Sequence, residues 1–172
     1  MYSDGTPIPE ITDPTQWDNL TTGAWCYYNN DPANGAIYGK LYNWYAVAGI
    51  YDAASAANPL LRKKLAPNGW HVASNAEYVT LINCLGGSSV AGGKMKENGT
   101  SHWESPNTSA TNESGFTGLP GGYRNPNGVG DYWYIGRYGV FWTSTTGSTI
   151  GSSIRYQLNS FAGNITVQVW NQ

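Results

Sequence analysis

Ser74-Asn75-Ala76-Glu77-Tyr78-Val79-Thr80-Leu81-Ile82-Asn83-Cys84-Leu85-Gly86-Gly87 is the stretch that sorts this chain into a fold class. It opens with a capping box, in which the Ser74 and Glu77 side chains satisfy amides that a first helical turn leaves without partners. Tyr78, Leu81, Ile82 and Leu85 then recur on one face, and the Gly86-Gly87 pair ends the run. Upstream, Leu41, Trp44, Tyr45 and Ala48 fall at i, i+3, i+4 and i+7, which predicts a second helix over 39–48 stopped by Gly49. Downstream the texture changes to Val140-Phe141-Trp142-Thr143-Ser144, Ser153-Ile154-Arg155-Tyr156-Gln157-Leu158 and Ile165-Thr166-Val167-Gln168-Val169-Trp170. The last two alternate with period two, and Pro120-Gly121, Pro126-Asn127-Gly128 and Thr146-Gly147 punctuate the region as turns. Helices followed by a meander of strands predict an α+β fold, two helices packed on small antiparallel sheets.

The chain has 172 residues, which suits a single domain over 1–172. Charged residues make up only 12 % and the formal net charge is −2, against roughly 25 % charged in an average soluble domain. Such a surface lacks the clustered Lys and Arg that a nucleic-acid backbone or an anionic membrane requires, so neither is an expected partner. No apolar run reaches the roughly 18 residues of a membrane span, and Met1 leads into Tyr2-Ser3-Asp4-Gly5 without a basic-then-apolar leader. Cys26 and Cys84 do not amount to a disulfide framework, and Cys84, inside an apolar helical pattern, reads as a buried free thiol.

Residues 98–115, 125–131 and 145–153 are rich in Asn, Ser, Thr and Gly. Trp103, Tyr132 and Trp133 lie in or beside these loops, and aromatics are scarce in disordered segments. Ordered loops folded over the core are therefore expected. The Asn-x-Ser/Thr sequons at Asn19, Asn98, Asn107, Asn112 and Asn164 reflect composition rather than glycosylation.

A specific set of motifs runs in order along nearly the whole chain. It comprises Ser3-Asp4-Gly5-Thr6-Pro7-Ile8-Pro9, Ala24-Trp25-Cys26-Tyr27-Tyr28-Asn29-Asn30-Asp31, Tyr38-Gly39-Lys40-Leu41-Tyr42-Asn43-Trp44-Tyr45-Ala46-Val47 and Asn68-Gly69-Trp70-His71-Val72. Leu85-Gly86-Gly87, Ala91-Gly92-Gly93-Lys94-Met95-Lys96-Glu97, Gly115-Phe116-Thr117-Gly118-Leu119-Pro120-Gly121-Gly122-Tyr123-Arg124 and Phe141-Trp142-Thr143-Ser144-Thr145 complete it. The set resembles the Fibrobacter succinogenes major paralogous (FISUMP) family. That resemblance implies a C-type-lectin-like fold, of the branch shared with formylglycine-generating enzymes and retroelement-diversified variable proteins. It also implies an extracellular or cell-surface setting, or the surface of a phage particle. Family members begin with a further strand and end with another, so the resemblance implies a chain without the usual first and last strands and with open sheet edges. Ala66 stands where the family has a cysteine whose partner belongs to that last strand.

An enzyme needs a nucleophile, an acid–base pair or a metal, and the sequence offers little of each. His71, in the Gly-Trp-His motif, reads as a hydrogen-bonded structural histidine, and His102 has no Cys or His at metal-ligand spacing. The formylglycine-generating relatives use paired C-terminal cysteines, and none follows Cys84. Gly92-Gly93-Lys94 fails as a phosphate loop, because Ser88 stands where that pattern needs Gly and Met95 where it needs Ser or Thr. Ser105-Pro106-Asn107 and Trp170-Asn171-Gln172 echo lectin calcium motifs but lack the carboxylate, which leaves too little negative charge for a hard cation. No metal or cofactor is expected there; a structural calcium elsewhere, using Asp31, Glu113 or Asp131, is left open.

The functional signal is aromatic. Tyr132, Trp133, Tyr134, Tyr138, Phe141 and Trp142, with Arg137 and Arg155 nearby, come from the region that forms the ligand face in the variable relatives. Rigid rings beside adaptable amides are also what a binding surface favours. The predicted ligand-binding set is Tyr132, Trp133, Tyr138, Trp142, Arg155, Tyr156 and Asn159, with Tyr132, Tyr138 and Tyr156 exposed and Phe141 buried. The expected function is non-catalytic recognition or adhesion, directed at a glycan or a protein on another surface. The alternative is a structural subunit of a filament, pilus tip or phage appendage, assembled through open sheet edges.

Overall fold

A computed structural model describes residues 1–125, 131–147 and 152–171. The expected Pro126-Asn127-Gly128 turn, the centre of the 145–153 loop and Gln172 lie outside these residues. The architecture is α+β, and the chain forms two compact units: Met1–Val72 with Arg124–Asp131, and Ala73–Tyr123 with Tyr132–Gln172.

In the first unit, short helices are launched by side-chain caps. Helix α1 (Pro14–Asp18) has Asp13 at its N-cap, accepting from the Gln16 amide, and α2 (Pro32–Tyr38) has Asp31, accepting from Ala33. Each cap is followed by a proline whose missing N–H the first turn does not need. Strand β1 (Trp25–Cys26) pairs antiparallel with β2 (Leu41–Tyr42). The helix expected over 39–48 is therefore only α3 (Trp44–Val47), because Asn43 intervenes. Its Oδ1 accepts from the amides of Ala24 and Ala46, and its Nδ2 donates to the Thr22 carbonyl, which fixes Asn43 as a cap and leaves Leu41 and Tyr42 to the ladder. Helix α4 (Ala53–Ala57) carries an Asp52/Ser55 capping box. Tyr2, Ile8 and Ala46 form the core, flanked by Trp25, Tyr42, Tyr51 and Leu65. Arg124, also buried here, donates to the carbonyls of Ile11 and Thr12 and lies over the Trp17 ring.

The second unit contains the helix that the capping box predicts. Helix α5 (Asn75–Cys84) buries Tyr78 and Ile82, and its Ser74/Glu77 box is present. Cys84 is exposed, against expectation, because it falls off the Tyr78–Ile82 stripe; the buried thiol is Cys26, and neither cysteine is in a disulfide. A helix the sequence reading did not place, α6 (Ser88–Met95), follows at once. Its interior Gly92 and Gly93 are required by close approach, since a Cβ on either would collide with the backbone of Asn164 or of Ser109.

Strands β3 (Tyr123–Arg124) and β4 (Tyr132–Trp133) form a two-stranded sheet. The main sheet has β5 (Tyr138–Thr146), β6 (Ser152–Asn159) and β7 (Thr166–Asn171) in that order, all antiparallel. Ile154, Tyr156 and Leu158 of β6 turn toward Tyr78, Ile82, Ala91, Met95, Trp103 and Ile165 to build the core. Trp103 is 1 % exposed and donates from Nε1 to the Gly118 carbonyl, so the Asn/Ser-rich 98–115 loop is folded over the core as expected.

Candidate aromatic recognition site

Side chains alternate along β6, so Ser153, Arg155, Gln157 and Asn159 leave the sheet on the side opposite the core. Arg155 is directly opposite Trp142 on β5 and Gln168 on β7. Its Nε donates to Gln168 Oε1 at 2.9 Å, and its guanidinium lies 4.0 Å from the Trp170 ring centre, 5.1 Å from Tyr123 and 5.6 Å from Trp142. Arg155 is 5 % exposed. Burial lowers its pKa, partly offset by Tyr123, yet a guanidinium stays charged at neutral pH. The rings thus form a box around a fixed cation, held by attraction between the charge and the ring faces.

From Tyr123 the aromatic contacts continue outward. Its ring centre lies 6.1 Å from Trp133 and 6.0 Å from Tyr134; Trp133 and Tyr134 meet edge to face at 5.8 Å, and Tyr134 meets Tyr138 at 4.8 Å. Trp133 and Tyr134 are each 40 % exposed. Tyr134 has φ 65°, a left-handed conformation that costs a bulky residue energy, and its carbonyl accepts from the amides of both Arg137 and Tyr138. Around this turn, Arg137 pairs through Nε with Glu104 Oε2 at 2.6 Å and lies 5.9 Å from the exposed Phe161 ring. The surface therefore presents rings from three segments, together with an exposed donor–acceptor pair.

Beneath it lies a buried cation. Lys96, fully buried at the end of α6, donates from Nζ to the carbonyls of Thr108 at 2.8 Å, Asn159 at 2.9 Å and Ala162 at 3.0 Å. Burial pulls its pKa down to about 8, so the amine is mostly protonated at pH 7 and has three N–H groups for three acceptors.

Of the sequence-predicted site residues, Trp133 and Tyr138 belong to the ring array, but Tyr138, whose ring packs against Tyr134, and Tyr132, beside Trp133, are half-buried rather than exposed as expected. Trp142 is half-buried against Arg155, and Asn159 Oδ1 accepts from the Phe161 amide to brace the turn after β6. Tyr156 was expected at the surface but is 3 % exposed: it lies on the core side of β6, stacked on Tyr78 at 4.4 Å, and donates to Asn75 Oδ1. Arg155 is likewise an interior strut rather than a surface contact. Phe141 is half-buried against the core and meets Phe116 edge to face. Sequence reasoning missed Tyr123, Trp170, Phe161 and Glu104. Trp170 was reachable by pairing register, and Phe161 by being a lone aromatic in a polar turn.

Elsewhere, His71 is exposed and His102 Nδ1 lies 2.8–2.9 Å from the Glu97 carboxylate oxygens. Asn107 is buried, with Nδ2 donating to the carbonyls of Glu97 and Gly99. It borders a polar hollow of about 300 Å³ lined also by Asn98, Thr100, Pro106, Ser109 and Thr111. No group of three or more His, Cys, Asp or Glu is placed to hold a metal among the described residues, and none of their helices is long and apolar enough to cross a membrane.

Comparison with curated proteins and with solved structures returns no match. The family model described as the Fibrobacter succinogenes major domain matches residues 1–167, and with the motifs of both units falling inside that match, the chain belongs to this family.

Proposed function

We propose that this chain is a non-catalytic recognition or adhesion module of the C-type-lectin-like kind, binding a glycan or protein on another surface through Trp133, Tyr134 and Tyr138. The observation that carries the reading is the exposed ring array, continuous with a buried Arg155 box that holds its base rigid. Rigid aromatic rings lose little entropy on binding, and their faces suit sugar rings and apolar protein anchors alike. Arg137 and Glu104 add a charged donor and acceptor that need no metal. The setting that fits is extracellular, on a cell or a phage particle.

The test is a glycan-array screen with and without calcium, run beside an Ala pair at Trp133 and Tyr134. Selective, calcium-independent binding that the double variant weakens at least about tenfold, as loss of anchor residues does, supports the reading. Binding that survives the double variant removes this face as the site.

A structural-subunit role is the second reading. Val167 and Val169 are 57 % and 59 % exposed on the edge strand β7, on the same side of the sheet as buried Tyr156. An uncharged edge of this kind accepts an added strand. Light scattering that finds large assemblies, with a blank array, favours this role.

A further inference from the structure

The carbonyls of Thr108, Asn159 and Ala162 converge from three pieces of chain, the 105–110 loop, the end of β6 and the turn beyond it. Converging carbonyls repel one another unless a cation or donors lie between them, which is the arrangement that proteins use to hold metal ions. Here the centre is taken by an ammonium on the chain itself. Lys96 is delivered by two features already described. The paired glycines let α6 press against Asn164 and Ser109. The backbone around Lys96 is clamped as well, with the Lys96 amide donating to Gly92 O, Gly118 N to Met95 O, and Glu97 N to Gly118 O.

What the ammonium holds is the underside of the aromatic face. The Asn159 side chain caps the amide of Phe161, Ser160 N donates to the Arg137 carbonyl, and Thr108 N donates to the Ser160 carbonyl. Glu104 N donates to Gly136 O in the same turn that carries Tyr134. Each loop that presents an exposed group is thus one or two hydrogen bonds from the cage.

We propose that Lys96 is a built-in cation that positions the recognition face, doing from within the chain what a bound metal ion does in a carbonyl cage. This role rests on the proposed function for its purpose, though its test needs no ligand. Removing the amine leaves a carbonyl-lined space shaped for a primary alkylammonium ion.

The experiment uses the full chain with amide hydrogen exchange followed residue by residue. Lys96→Ala should speed exchange at Thr108, Ser160 and Phe161 by about 10- to 100-fold, the loss expected when a hydrogen bond to a charged group goes, while β6 and α5 amides hold. Propylammonium should restore protection saturably, and tetramethylammonium, which carries the charge but no N–H, should not. Unchanged exchange in Lys96→Ala, or equal rescue by both ions, overturns the proposal. Should Lys96→Ala fail to fold, the unaltered chain decides: the Lys96 Nζ protons should give a slowly exchanging ¹⁵N-detected signal at neutral pH, and exchange as fast as that of a surface lysine overturns it. Binding that survives the Trp133 and Tyr134 double variant would sink the recognition face without touching these outcomes.

Discussion

Arg155 and Arg137 sit in the same unit, each against aromatic rings, and differ in what encloses them. Arg155 lies among Trp170, Tyr123 and Trp142 with 5 % of its surface exposed, whereas the Arg137 side chain, over Phe161, is 47 % exposed and paired with Glu104. The difference comes from register. Arg155 is in the central strand, so partners on both sides close over it, while Arg137 stands in the turn just before β5, with the end of β6 on one side only. The same two residue types therefore make a strut in one place and a contact surface in the other.

The comparison extends one residue along β6. Tyr156 points to the opposite side and is core, stacked on Tyr78. Tyr156→Ala should give the largest effect, a loss of about 3–5 kcal/mol as for other buried aromatics, read as a shift of the denaturation midpoint. A loss below about 1 kcal/mol, the size of an ordinary surface change, would mean that Tyr156 is not core.

The arginines themselves provide the sharper contrast. Arg155→Met should cost about 2 kcal/mol, from a desolvated cation among rings and a hydrogen bond to Gln168. Arg137→Met should cost less than about 1 kcal/mol, because an exposed ion pair is screened by water and salt. Denaturant titrations of both variants at low and high salt test this. Equal costs would erase the distinction between strut and surface.

That distinction was only half legible in the sequence. Period-two alternation locates β6 and β7, and a run of apolar and aromatic residues locates β5, but neither says which side meets the core, so reading Tyr156 as exposed fails. Deciding that needed the helices, and α6 was hidden because Gly92 and Gly93 are poor helix formers; they are there for approach rather than propensity. Asp13-Pro14 and Asp31-Pro32 start α1 and α2, two helices the sequence reading does not place because the segments behind those pairs are too short to show an apolar stripe. Asn43 illustrates the reverse error: an apolar spacing of four residues outvoted a cap that three hydrogen bonds enforce. The aromatic run holding Trp133 and Tyr138 is legible in the sequence, and the family resemblance singles it out, whereas the links through Tyr123 and Trp170 exist only once strands from distant parts of the chain pair.

The smallest effect concerns protonation on the core side of β6. Burial raises the pKa of Tyr78 to about 12 from an ordinary 10.0, with Tyr156 adding to the shift. Between those values the folded chain keeps a proton that the unfolded chain releases. The Tyr78 contribution is thus fully present below pH 10 and is lost as pH rises through 12. Tyr78→Phe deletes the ionisable group while keeping the ring stacked on Tyr156. At pH 7 the variant should stay within about 0.5 kcal/mol of the parent, while its alkaline unfolding midpoint moves upward. A midpoint that stays put would mean that another group sets the alkaline limit of this unit, and that the Tyr78–Tyr156 stack is wetter than its 4.4 Å separation and burial imply.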